Sequence, residues 1–164
     1  MFDYKNAEKI LEAEDVVVKF NLRGKTLTAI RGISMELYKG ESLAIVGESG
    51  SGKSVFTKTF MGLLDANGFI AGGQILYNGQ DLTAYHTDKD WLKIRGREIA
   101  MIYQDALSSL NPSMLIKSQM KQLTSRGGTR SAEELLELVG LDPKRTLDSY
   151  PHELSGGQRQ RVLI

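Results

Sequence analysis

The sequence predicts an α/β fold: an antiparallel β subdomain first, a central strand–loop–helix unit next, and a helical subdomain last. Three observations carry this. Apolar and polar side chains alternate between turn signals through Tyr38. A continuous apolar run, Leu43-Ala44-Ile45-Val46, leads into a glycine-rich loop and an amphipathic stretch. Beyond Pro112 the apolar spacing becomes helical.

Taken in order, Leu11 to Phe20 reads as a strand around the β-branched run Val16-Val17-Val18. Ile33, Met35 and Leu37 alternate with Ser34, Glu36 and Tyr38, as in a sheet with one wet face. Gly24 and Lys39-Gly40 punctuate these stretches as turns. Leu43–Val46 reads as a strand covered on both faces. Phe56, Phe60, Leu63 and Leu64 then fall on one helix face. Gln74–Tyr77 is a short strand closed by an Asn78-Gly79 turn. Ile99–Tyr103 reads as a second buried strand. Later, Ser131 and Glu134 form a capping box, Leu135, Leu136 and Val139 supply an apolar face, and Gly140 closes the helix. Thr124–Arg130 reads as a polar loop between helices, and no internal repeat or low-complexity tract is found. The expected organisation is a single partial domain over residues 1–164. Its β subdomain and loop-bearing core span about 10–110, and its helical subdomain about 111–164.

Composition narrows the function. The chain has 164 residues, with 21 Lys+Arg against 20 Asp+Glu. A net charge of +1 argues against a nucleic-acid partner held by bulk electrostatics. The lack of cysteine removes disulfides, zinc ribbons and thiolate catalysis, and fits a reducing compartment. No apolar run approaches the roughly 20 residues of a membrane span, and the opening MFDYKNAEKI is unlike a signal peptide. The expectation is a soluble intracellular protein.

Gly47-Glu48-Ser49-Gly50-Ser51-Gly52-Lys53-Ser54 matches G-x-x-x-x-G-K-[ST] in full, and Val55 continues the helix start. The spacing has a chemical reason. Small residues let successive backbone N–H groups wrap a phosphate chain, and the following helix aims its positive end at it. Lys53 can reach the β/γ-phosphates and the Ser54 hydroxyl is placed for Mg²⁺. The plain alternative is a glycine-rich turn that matches by chance. The strand pattern before it and the helix pattern after it favour nucleotide binding.

A second motif, Leu154-Ser155-Gly156-Gly157-Gln158, precedes Arg159-Gln160-Arg161-Val162. Taken alone it reads as Ser155 capping a helix that two glycines ease open. Together the two motifs resemble the ATP-binding cassette (ABC) ATPases, whose signature is LSGGQ. The resemblance covers about Ile10 to Ile164. It implies a P-loop NTPase core in which Ser155, Gly156, Gly157 and Gln158 face the γ-phosphate of ATP held by a partner subunit. Gln104 stands where the family has its Q-loop glutamine, which touches Mg²⁺ and the attacking water. Phe20 corresponds to the aromatic that stacks on adenine, against the ordinary alternative of a strand core residue.

IAMIYQDALSSLNP and YPHELSGGQRQRV look like the ATPases of oligopeptide, dipeptide and nickel importers, with Ala106 where a proline is usual. The segment between Pro112 and Ser131 also looks shorter than in those ATPases. The cofactors implied are ATP and Mg²⁺. The partners implied are a second ABC ATPase subunit, membrane-spanning permease subunits and, indirectly, a solute-binding protein, with no nucleic acid. The location implied is cytoplasmic, peripheral on the inner face of the membrane.

The family also has a strand ending in Asp-Glu and a switch histidine after the signature. No apolar run here ends in Asp-Glu, and His86 and His152 both precede the signature glycines. His152 falls in a Tyr-Pro-His-Glu lead-in and reads as a packing or capping residue. The expectation is therefore a core lacking its C-terminal strands, marginal by itself or completed by another chain, with turnover near background. Two other readings stay open: a nucleotide-binding module without catalysis, and a non-transport ABC ATPase of translation or DNA repair.

Overall fold

The computed structural model describes residues 3–103, 105–125 and 128–164. They form two compact units, residues 1–100 and 101–164.

In the first unit, β1 (Lys9–Leu22) and β2 (Lys25–Tyr38) form a long antiparallel hairpin around the Arg23-Gly24 turn. β3 (Gly68–Tyr77) pairs with the other edge of β1, and the two-residue β4 (Gln80–Asp81) closes the sheet in the order β2-β1-β3-β4. Asn78 and Gly79 have φ of 48° and 76°, the left-handed pair of a two-residue hairpin turn. These turns stand where the sequence signals place them.

A bulge keeps β1 amphipathic. Leu11 and Ala13 are buried, and so are Val16 and Val18, a step of three rather than two. Asp15 absorbs the extra residue at φ 43°, and its N–H donates to Ser34 Oγ at 2.9 Å. Gly32 and Gly73 stand at the matching shifts of β2 and β3, with φ of 97° and 81°. One irregularity thus runs across three strands and leaves a single face turned to the core.

That face is covered by α1 (Lys53–Thr59) and the segment 82–94. Phe56 and Phe60 are buried edge to face with ring centroids 5.0 Å apart, worth about 0.5–1.5 kcal/mol beyond their burial. The helix is shorter than the apolar pattern implies. Gly62 takes φ 58°, so Leu63 and Leu64 follow the helix rather than extend it. The short α2 (Asp88–Trp91) is closed by a Thr87–Asp90 capping box.

Two expectations fail here. Leu43–Val46 and Ile99–Tyr103 do not form buried strands. Val46 is 87% exposed and Ile102 55%, and Ile99 makes only an isolated bridge to Arg95. The reason is pairing: a buried parallel strand needs a neighbour on each side, and none of the described residues hydrogen-bonds these runs into a ladder. Every strand pairing in the β2-β1-β3-β4 sheet is therefore antiparallel, and the Arg95–Ile99 bridge is the isolated parallel contact among the described residues.

Beside Trp91, the Tyr85 ring packs edge-on at 5.2 Å with its hydroxyl buried and without a hydrogen-bond partner among the described residues. An unsatisfied buried hydroxyl costs about 1–3 kcal/mol. Tyr85→Phe should accordingly stabilise the chain by about 1 kcal/mol, raising the melting temperature by roughly 2–4 °C. A lower melting temperature would show that the hydroxyl is satisfied in solution.

The second unit is helical: α3 (Ala106–Ser109), α4 (Ile116–Thr124), α5 (Ala132–Leu138), α6 (Pro143–Leu147) and α7 (Gly156–Leu163). Leu110, Ile116, Met120, Leu136, Leu141 and Leu154 make its core. Ser131 and Glu134 form the expected box: Glu134 N–H donates to Ser131 Oγ at 3.1 Å, and Ser131 N–H to Glu134 Oε2 at 2.8 Å. Gly140 ends α5, with Gly140 N–H on Glu137 O and Leu141 N–H on Leu136 O. Asp142 caps α6 through the Arg145 N–H at 2.7 Å. Among the described residues no helix is long and apolar enough to cross a membrane.

Candidate functional site

The glycine-rich loop folds onto β2 and turns into α1. Gly52 caps the helix at φ 94°, where a Cβ would stand 2.6 Å from Ile30 Cδ1 and 3.3 Å from Ala29 O. Only glycine allows both that backbone angle and that approach. Ser51 N–H closes the turn on Glu48 O at 3.2 Å.

The first bond of α1 runs from Phe56 N–H to Gly52 O at 2.8 Å. The N–H groups of Lys53, Ser54 and Val55 are therefore not consumed by the helix. No side chain caps them, and the first turn contains no acidic residue. Lys53 folds back over the loop. Its Nζ donates to Gly47 O at 2.8 Å and Glu48 O at 2.7 Å, with Ser51 Oγ at 3.4 Å. All three of these oxygens are neutral, so a full positive charge sits beside an uncapped helix start. Glu48, Ser49, Gly50 and Ser54 are exposed, and Val55 packs against the first core. Such an arrangement can bind an anion with several oxygens.

The far end of α1 is held by residues that the sequence reading missed. Arg95 donates through Nε to Met61 O at 2.7 Å and through Nη2 to Gly62 O at 2.8 Å, and its guanidinium lies 5.2 Å from the Trp91 ring centroid. These bonds satisfy carbonyls beyond the helix end with a cation, which also suits the dipole. A lone tryptophan four residues before an arginine was the available signal, but nothing local says what the pair would grip.

Phe20 lies in the same unit, half-buried against the first core and across from Gly68. Gln104 lies outside the described residues.

Ser155–Gln158 belongs to the second unit. Ser155 caps α7: its Oγ accepts the Gln158 N–H at 3.2 Å while Gln158 Oε1 accepts the Ser155 N–H at 2.8 Å. Leu154 is buried, and a Cβ added to Gly156 or Gly157 would meet nothing within 4 Å. Arg161 ties α7 to the end of α5 through Gly140 O at 3.2 Å. His152 stacks on Tyr150 at 5.6 Å between ring centroids, a packing role.

The model of the ABC transporter family matches residues 30–164, which contain both motifs. The chain belongs to the ABC transporter family. Among curated relatives, this ABC chain is 51% identical over 168 residues to the oligopeptide transport ATP-binding protein AmiE of Streptococcus pneumoniae, covering 98% of the chain and 47% of AmiE. It is 42% identical over 165 residues to the oligopeptide transport ATP-binding protein OppD of Bacillus subtilis, covering 95% of the chain and 46% of OppD. The dipeptide transport ATP-binding protein DppD of that organism is 41% identical over 166 residues, covering 96% of the chain and 49% of DppD. The chain thus spans about half the length of the curated relatives it matches. In fold it is similar to the dimeric bacterial ABC transporter cassette MJ0796, with a TM-score of 0.76 at 24% identity over 94% of the chain and 67% of the cassette.

Proposed function

We propose that this ABC chain binds Mg-ATP as part of the ATP-binding subunit of an importer for peptides or a related small solute. The observation that carries the reading is the Lys53 ammonium, held by neutral oxygens beside the uncapped N-terminus of α1. Family membership and the oligopeptide and dipeptide relatives support the transport role.

The triphosphate lies along Gly47–Val55. Backbone N–H groups and Lys53 take its charge, with Lys53 exchanging the Gly47 and Glu48 carbonyls for phosphate oxygens. The Ser54 hydroxyl would be the protein ligand of Mg²⁺, which would supply charge to offset the phosphate oxygens, and Gln104 would act as the family's Q-loop glutamine. Phe20 stacks on the adenine. Ser155 and the N–H groups of Gly156 and Gly157 serve a second ATP, held by the loop of a partner subunit. Closure of the two subunits acts on permease subunits, which a solute-binding protein supplies. That places the chain in the cytoplasm, on the inner face of the membrane.

Ser155→Arg tests the transport role, because it puts a bulky cation at the α7 N-terminus without touching the phosphate loop. Cells whose importer carries it should lose peptide uptake by about a hundredfold, an effect the size of losing one preorganised donor set. Mg-ATP binding to the isolated chain should be unchanged. Uptake at the unmodified rate would overturn the proposed role of the signature.

A further inference from the structure

Toward the Arg23-Gly24 end of the sheet, one cross-strand row contains Leu27 of β2, Phe20 of β1 and Gly68 of β3. Residues directly opposite share a face, so Phe20 stands on the same side as Gly68. A Cβ on Gly68 would lie 2.6 Å from Phe20 Cε1, 3.0 Å from Cδ1 and 3.1 Å from Cζ. One edge of the ring therefore occupies the space that a side chain at position 68 would need.

This seat is fixed relative to β1. Gly68 N–H donates to Asp65 O at 2.7 Å, Asn21 N–H to Asn67 O at 2.8 Å, and Asn67 Nδ2 to Asn21 O at 3.0 Å. The residues beside Phe20 and Gly68 are thus clamped to each other. The half-buried ring also packs against the first core, so a side chain at position 68 would have to displace it.

We propose that Gly68 is a positioning residue for nucleobase binding: it seats the Phe20 ring where the base stacks on it. This rests on the reading of the chain as an ATP binder. A different account is available, in which the ring merely covers bare glycine backbone and stabilises the sheet. The two accounts differ over which part of a nucleotide would feel a change at position 68. Seating the ring affects base recognition alone, since the triphosphate is held by Gly47–Val55.

The test is calorimetric titration of the chain with Mg-ATP and, separately, with Mg-tripolyphosphate, which has no base. Gly68→Ala and Phe20→Ala should each weaken ATP by about three- to tenfold, the range of one lost aromatic contact, and leave tripolyphosphate unchanged. In the Phe20→Ala background, Gly68→Ala should add nothing, since the ring it displaces is gone. That double variant also relieves the steric conflict, so it keeps the test open if Gly68→Ala alone fails to fold.

ATP affinity unchanged by Gly68→Ala while Phe20→Ala lowers it would overturn the positioning role. So would equal losses for ATP and tripolyphosphate, or a further loss in the double variant. A chain that binds neither ligand would overturn the nucleotide reading itself and the inference with it.

Discussion

A Lys53→Ala chain should melt at the same temperature with and without saturating Mg-ATP. For the unaltered chain, a ligand that binds only the folded state stabilises by about 2.7 kcal/mol at a hundred times its Kd. For a domain of this size that is a rise of roughly 5–10 °C. The substitution removes the cation but leaves the Gly52 turn and the free N–H groups of α1 in place. Without ligand its melting temperature should move little. The Gly47 and Glu48 carbonyls lie in an exposed loop, where water replaces the ammonium. A thermal shift that survives in Lys53→Ala would mean that ATP binds elsewhere or that the backbone donors suffice.

The second large effect is on folding. Gly73→Ala should destabilise the chain by about 3 kcal/mol, lowering the melting temperature by roughly 6–12 °C. Two terms add. Gly73 has φ 81°, which an L-residue resists, and its Cβ would stand 2.3 Å from Glu14 O and 2.4 Å from Asp15 O. Those atoms are backbone, so no side chain can rotate away. The bulge at Asp15 would have to open, and with it the step that keeps Val16 and Val18 in the core. Urea unfolding of the two chains in parallel measures the difference, and a loss below about 1 kcal/mol would show the bulge to be soft.

What the sequence disclosed and what it withheld divide along the range of the interactions. Turns, caps and loop motifs are local. Arg23-Gly24, Asn78-Gly79, the Ser131–Glu134 box and the Ser155 cap depend on residues within a few positions of each other, and all were legible. The glycine-rich turn into α1 at Gly47–Ser54 was legible for the same reason. The bulge was not, because Val16-Val17-Val18 reads as an uninterrupted strand and only the paired strands reveal the extra residue at Asp15. The grip of Arg95 on the end of α1 was hidden too, since its acceptors are carbonyls 33 and 34 residues away. Leu43–Val46 and Ile99–Tyr103 failed for a related reason. Hydrophobic character states that a segment wants cover, and pairing decides whether it becomes a strand.

The two glycines that open α7 have a meaning that their own surroundings do not supply. At a helix interior glycine gives up about 0.8–1 kcal/mol relative to alanine, and even in a first turn it gains nothing for the helix. Gly156 and Gly157 face open space where a methyl group would fit, and neither has the positive φ that demands glycine. Intramolecular packing leaves both positions free to be alanine. What bare backbone offers there is access: no side chain at 156 or 157 stands over the first amides of α7. At the start of α7 the chain forgoes helical stability and keeps its backbone uncovered.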